Sequence, residues 1–157
     1  MNDGAAQVPG FLCFDHVAIA VPPGELEAHV AAYTSLGFTV IHREDVLGTD
    51  QVREVLLQVG DGPNLVQLLE PLTPASPVAK QIEKNGGRGG MAHVALRVRD
   101  IQAAYDDLKA KGFRIIDAAP RKGSRGTTVF FVHPKTTDTA AFGYILEIVQ
   151  EGEGSHA

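Results

Sequence analysis

His16-Val-Ala-Ile-Ala-Val21 and His93-Val-Ala-Leu-Arg-Val98 are two copies of one pattern, a histidine leading an apolar strand. Each copy runs into a helical stretch, then Gly-Phe (Gly37-Phe38, Gly112-Phe113), then a β-rich run, Thr39-Val40-Ile41 or Arg114-Ile115-Ile116. Farther on, each half has an apolar strand carrying one oxygen donor, Gln67 in the first and Glu147 in the second. The separations from His16 to Gln67 and from His93 to Glu147 are nearly equal. A duplicated unit that supplies one imidazole and one oxygen per copy implies a single metal held between the modules. The expected fold is α+β, two tandem βαβββ modules forming a curved mixed sheet around a metal cavity.

A chain of 157 residues fits one domain. Module one covers about 11–72, a connector 73–90 and module two about 91–150. With 44% hydrophobic and 21% charged residues the composition is that of a soluble globular protein. A net charge of −5 argues against nucleic acid and gives no basic stripe for a membrane surface. No apolar run approaches the ~18 residues of a membrane helix. Met1–Gly10 lacks the basic start and apolar core of a signal peptide, and the lone Cys13 cannot pair internally. A cytoplasmic enzyme or binding protein is expected.

Along the chain, Met1–Pro9 is read as a flexible lead-in. In Leu12–Val21, alternation puts Val17, Ile19 and Val21 under a helix and His16, Ala18 and Ala20 towards a cavity. A helix with Leu26, Val30 and Tyr33 on one face ends at Gly37, and Phe38–His42 is a second strand. Gly60–Asn64 turns a hairpin between Val52–Val59 and Leu65–Glu70. In the connector, Ser76-Pro77 starts a short helix, and Gly86–Gly90 reads as a hinge because no strand precedes it and no helix follows. Module two repeats the order, with Asp100 capping a helix, strands at Phe113–Asp117, Thr127–Val132 and Tyr144–Gln150, and a frayed tail from Glu151.

A lone strand histidine is more often packed than ligated. Two at equivalent places in a repeat change that, and Gln67 and Glu147 strengthen it, because buried strands rarely carry Gln or Glu without a partner. The candidate metal ligands are therefore His16, Gln67, His93 and Glu147. Two imidazoles with amide and carboxylate oxygens suit a divalent ion, Co²⁺ first and Mn²⁺, Ni²⁺ or Zn²⁺ otherwise, with a position left open. A closed zinc site would use thiolates. Glu54 shares hairpin parity with Gln67 and so faces the cavity as a candidate base; the competing reading is a surface carboxylate on an edge strand. His29, His42, His133 and His156 are read as structural or surface residues. The basic turn of Arg121, Lys122 and Arg125 reads as a solvated loop, with contact to phosphates as the alternative.

The chain resembles the vicinal-oxygen-chelate (glyoxalase) superfamily and, within it, the methylmalonyl-CoA epimerase family. The matching stretches are Phe14–Ala18, Leu68–Leu72, Ser76–Lys80, His93–Ala95, Asp100-Ile101, Pro120-Arg121, His133–Lys135 and Leu146–Gln150, in the right order over most of the chain. Ala92 stands where the family has another histidine, and the loop Thr136–Gly143 is longer than usual. The resemblance implies that His16, Gln67, His93 and Glu147 fall on metal-ligand positions, that the substrate is a small acyl-CoA, and that the protein is a homodimer. It implies epimerisation of (R)- and (S)-methylmalonyl-CoA by 1,1-proton transfer through a metal-stabilised enolate. Inversion needs one base on each face. A neutral amide cannot take a proton, so the catalytic pair is Glu147 and Glu54. A glyoxalase I-type isomerase, a ring-cleaving dioxygenase relative and a metal-free ligand-sequestering protein are the alternatives.

Overall fold

The structure, a computed structural model, describes residues 10–152. The lead-in Met1–Pro9 and the end of the tail, with His156, lie outside the described residues. Chain contacts divide the molecule into two compact units, one of His16–Ala92 and one whose described residues are 10–15 and 93–152. The described elements are β1 (Phe11–Ala20), α1 (Leu26–Ser35), β2 (Thr39–Val46), β3 (Val52–Gln58), β4 (Leu65–Pro71), α2 (Pro77–Lys84), β5 (Gly90–Val98), α3 (Ile101–Ala110), β6 (Arg121–Lys122), β7 (Thr128–Val132) and β8 (Ile145–Gln150). No helix among the described residues is long and apolar enough to cross a membrane.

In the His16–Ala92 unit the strands lie in the order β2-β3-β4-β1, with β1 and β4 parallel and the other pairs antiparallel. Val21, Val55, Leu57 and Leu68 pack one sheet face against Leu26 and Val30 of α1. No side chain of its own caps α1; the Glu70 carboxylate of β4 accepts from the backbone N–H of Gly24 (2.8 Å) and Leu26 (3.3 Å). A negative charge there satisfies first-turn donors and meets the positive end of the helix dipole. On the opposite face Val78 and Ile82 of α2 cover Ala18, Ala20, Val52 and Leu69. Ser76 Oγ accepts from the Val78 N–H at 3.2 Å with Pro77 at the first helical position, as its sequence indicates.

The second unit repeats the plan in the order β5-β8-β7-β6, again with one parallel pair, β5 and β8. Asp100 Oδ1 accepts from the Ala103 N–H and caps α3, whose Ala104, Tyr105 and Leu108 pack on Val98, Phe130, Val132, Leu146 and Ile148. Tyr105 meets Phe130 edge to face at 5.1 Å. The α+β class and the mixed sheet are as expected.

Three boundaries differ from expectation. The strand expected at Phe113–Asp117 is reduced to one bridge, Ile115 with Val132. The Phe131 N–H donates to Asp117 Oδ2 at 2.7 Å, so a carboxylate takes a donor that a backbone carbonyl would have used. β2 continues past His42 to Val46, since Val40, His42, Glu44 and Val46 all alternate half-buried against β3. The tail is not frayed at its start: Arg97 holds both Glu151 and the fully buried Asp15, each at 2.7 Å. Burial opposes the charge on Arg97, yet these carboxylates, Asp15 foremost, raise its pKa above the ordinary value.

Candidate active site

The register of the first unit aligns one row of side chains across three strands. His16, Ala18 and Ala20 of β1 stand beside Leu65, Gln67 and Leu69 of β4; Gln67 stands opposite Leu56 of β3 and Leu69 opposite Glu54. His16, Gln67 and Glu54 thus share a sheet face. All three are buried, at 4%, 6% and 2% exposure. Glu54 lies on an interior strand, which removes the edge-strand surface reading; Arg53, on the other face, pairs with Asp45 at 2.8 Å. Gln67 Oε1 is buried and accepts no hydrogen bond. An amide oxygen withdrawn from water in this way costs free energy unless a hydrogen-bond donor or a cation meets it.

The second unit presents the matching pair. His93 and Glu147 are both buried, with His93 Nε2 3.3 Å from Glu147 Oε2. Glu147 sits between Ala95 and Phe131 in the ladder, and the Phe131 ring meets the His93 imidazole edge to face at 5.5 Å. Arg121 lies over the Phe131 ring, 5.2 Å from its centroid, and bonds Asp117 at 2.9 Å. The imidazole thus sits beside a carboxylate and against an aromatic edge. His16, His93 and Glu147 each offer a ligand atom of the kind a metal ion takes, and the uncommitted Gln67 oxygen fits the same role.

Of the other histidines, His29 Nδ1 lies 2.9 Å from the Glu25 carbonyl and His133 Nδ1 accepts from the Lys135 N–H, so both serve local turns. The basic turn is not simply solvated. Arg121 is committed to Asp117, and Arg125, with φ of 55°, sits 3.8 Å from buried Asp15. Sequence reasoning missed Glu44, which stands directly opposite Glu54, with His42 Nε2 3.7 Å from its carboxylate. The signal was the period-2 alternation from His42 to Val46, which follows a register shift after Val40 and whose polar residues disguised it as a loop.

The model of the Glyoxalase/Bleomycin resistance protein/Dioxygenase superfamily matches residues 15–131. The ethylmalonyl-CoA/methylmalonyl-CoA epimerase of Cereibacter sphaeroides is 40% identical over 139 residues, covering 87% of this chain and 96% of that one. The chain belongs to the methylmalonyl-CoA epimerase family of this superfamily. Within the epimerase family, the crystal structure from Mycobacterium tuberculosis has a TM-score of 0.82 at 30% identity, covering 97% of this chain and 99% of that one. A variant of the Streptomyces coelicolor epimerase in complex with 2-nitronate-propionyl-CoA has a TM-score of 0.78 at 34% identity, covering 90% and 99%. The epimerase family's fold is the duplicated α+β fold expected from the hexapeptide repeat.

Proposed function

We propose that the protein interconverts the (R) and (S) epimers of methylmalonyl-CoA, with Glu54 and Glu147 as the two bases. The observation that carries this reading is the placement of Glu54: a carboxylate only 2% exposed, on the sheet face that also bears His16 and Gln67. A structural role for a buried glutamate in a strand is costly, whereas burial is what a carboxylate needs to act as a base near neutral pH.

In this reading His16, Gln67, His93 and Glu147 hold one divalent cation. Cobalt(II) is the first choice, and a homodimer in the cytoplasm is the expected setting; these finer points rest on the family resemblance. The donor set fits: two neutral imidazoles, one carboxylate and an amide oxygen with free lone pairs, and no thiolate. When bound, the cation supplies a Lewis acid that stabilises negative charge on the thioester oxygen as the α-proton leaves. The side chains do the rest. One glutamate accepts the α-proton while the other delivers a proton to the opposite face, and their roles exchange for the reverse direction. Gln67 binds without titrating. Leu56 and Leu69, beside Gln67 and Glu54, keep that end of the face dry and hold Glu54 short of water.

The test is deuterium wash-in at the α-carbon of methylmalonyl-CoA in D₂O. Exchange and interconversion should occur together with divalent metal and stop after chelation. Full interconversion after complete chelation, or turnover of a glutathione hemithioacetal in preference, would overturn the proposal.

A further inference from the structure

We propose that Glu44 and His42 carry the proton taken up by Glu54 out to solvent, an inference that rests on the epimerase reading above. The need follows from proton balance. In one turnover an O–H bond forms on the Glu54 carboxylate as the substrate Cα–H bond breaks, and Glu147 gives a proton to the opposite face. The next turnover in the same direction requires Glu54 to have lost that proton and Glu147 to have regained one. Glu54 is 2% exposed, so water does not collect the proton from it directly.

The ladder around Glu54 points the way. Leu69 stands opposite it on β4, and Val52 and Leu56 lie two residues away along β3; all three are apolar and buried. Val78 and Ile82 of α2 pack over Val52 and Leu69. The neighbour on β2 is Glu44, directly opposite Glu54. Opposed residues in a ladder have Cβ atoms about 5 Å apart, within reach of two carboxyl groups that share a proton directly or through one water.

His42 takes the route to the surface. Its Nε2 is buried, has no hydrogen-bond partner and lies 3.7 Å from Glu44 Oε1. That gap is longer than a hydrogen bond and closes with a small turn of either side chain. The His42 and Glu44 side chains are 31% and 34% exposed, so with Nε2 buried the rest of the ring carries the exposure. An imidazole placed in this way takes a proton on its inner nitrogen and releases one from its outer side.

A bulge in β2 creates this alignment. Val40 pairs with Leu57 and packs on the α1 side, but His42 pairs with Leu56, so Ile41 is an extra residue in the ladder. Val46, beyond the shift, packs on the α2 side. Without Ile41 the register would set Arg43 opposite Glu54 and turn Glu44 to the other face; Arg43 instead bonds Glu27 at 2.7 Å. Bulges re-aim side chains in this manner beside reacting groups. The transfer balances: the proton passes from Glu54 to the Glu44 carboxylate and from there to His42 Nε2, each O–H bond breaking as the next bond forms. One proton leaves the ring for water or buffer, and solvent returns one to Glu147.

The test follows interconversion of methylmalonyl-CoA epimers by His42→Phe and Glu44→Gln over a range of substrate concentrations, with metal in excess. Resetting the bases comes after product formation, so its loss limits kcat and spares kcat/KM. In dilute buffer both variants should lose about tenfold or more in kcat, with KM falling in step and kcat/KM at the wild-type value. Added imidazole should restore kcat in His42→Phe by taking the place of the missing ring. A wild-type kcat in Glu44→Gln, a kcat/KM that falls together with kcat, or a loss in His42→Phe that imidazole leaves in place would overturn the relay alone. Absence of interconversion in the wild type would instead sink the epimerase reading, and the relay with it.

Discussion

Glu44 and Glu54 face each other directly across the β2–β3 ladder, one a third exposed and the other buried. Two carboxylates at one cross-strand position repel. A sheet keeps such a pair only at a cost of several tenths of a kcal/mol. Removal of the outer charge in Glu44→Gln relieves that repulsion, and the variant should be slightly more stable to urea. An unchanged or lower urea midpoint would show that the two carboxylates do not repel across the ladder.

On the proposed reading, Gln67→Ala removes an oxygen donor and leaves both candidate bases in place. Metal affinity, measured by competition with a chelator, should fall by about tenfold or more. With metal in excess, activity should largely return, because both glutamates remain. Unchanged affinity would take Gln67 out of the ligand set.

The Asp15–Arg97–Glu151 cluster should matter for stability. Asp15→Asn leaves the Arg97 guanidinium, 12% exposed, with only Glu151 to balance it. Breaking a buried pair from one side costs about 3 kcal/mol or more, readable as a lower urea midpoint. A midpoint within experimental scatter of wild type would mean that water replaces the lost carboxylate.

Phe130 is fully buried beneath α3 and meets Tyr105 edge on. Phe130→Ala should cost about 3–5 kcal/mol in the same assay through lost burial and an unfilled cavity. A loss below about 1 kcal/mol would show that α3 collapses into the space.

The fold and much of the candidate site were legible because the duplication did the work of an alignment. His16 and His93 begin matching strands, and parity alone carried Gln67 and Glu54 to one face, as the β3–β4 register has it. Local chemistry was equally plain where one residue decides it, as at Ser76 and Asp100, whose side chains cap their helices. Long-range partners were not legible. Nothing near Glu70 in the sequence says that it caps α1, and nothing near Asp117 says that its carboxylate displaces a strand bond to Phe131. Arg97 reads as a polar break in an apolar strand until Asp15 is found beside it. Glu44 was hidden for a different reason: its charged neighbours resemble a loop, and only the pairing with β3 shows the strand to continue.

The most direct test of one cation in a four-residue site, with Glu54 as a base outside it, is the Glu54→Gln variant followed in D₂O with its metal content measured. The variant should retain about one divalent ion per chain. It should wash deuterium into one epimer of methylmalonyl-CoA through Glu147 while failing to interconvert the two. Interconversion at the wild-type rate, or loss of the metal along with the activity, would contradict the account.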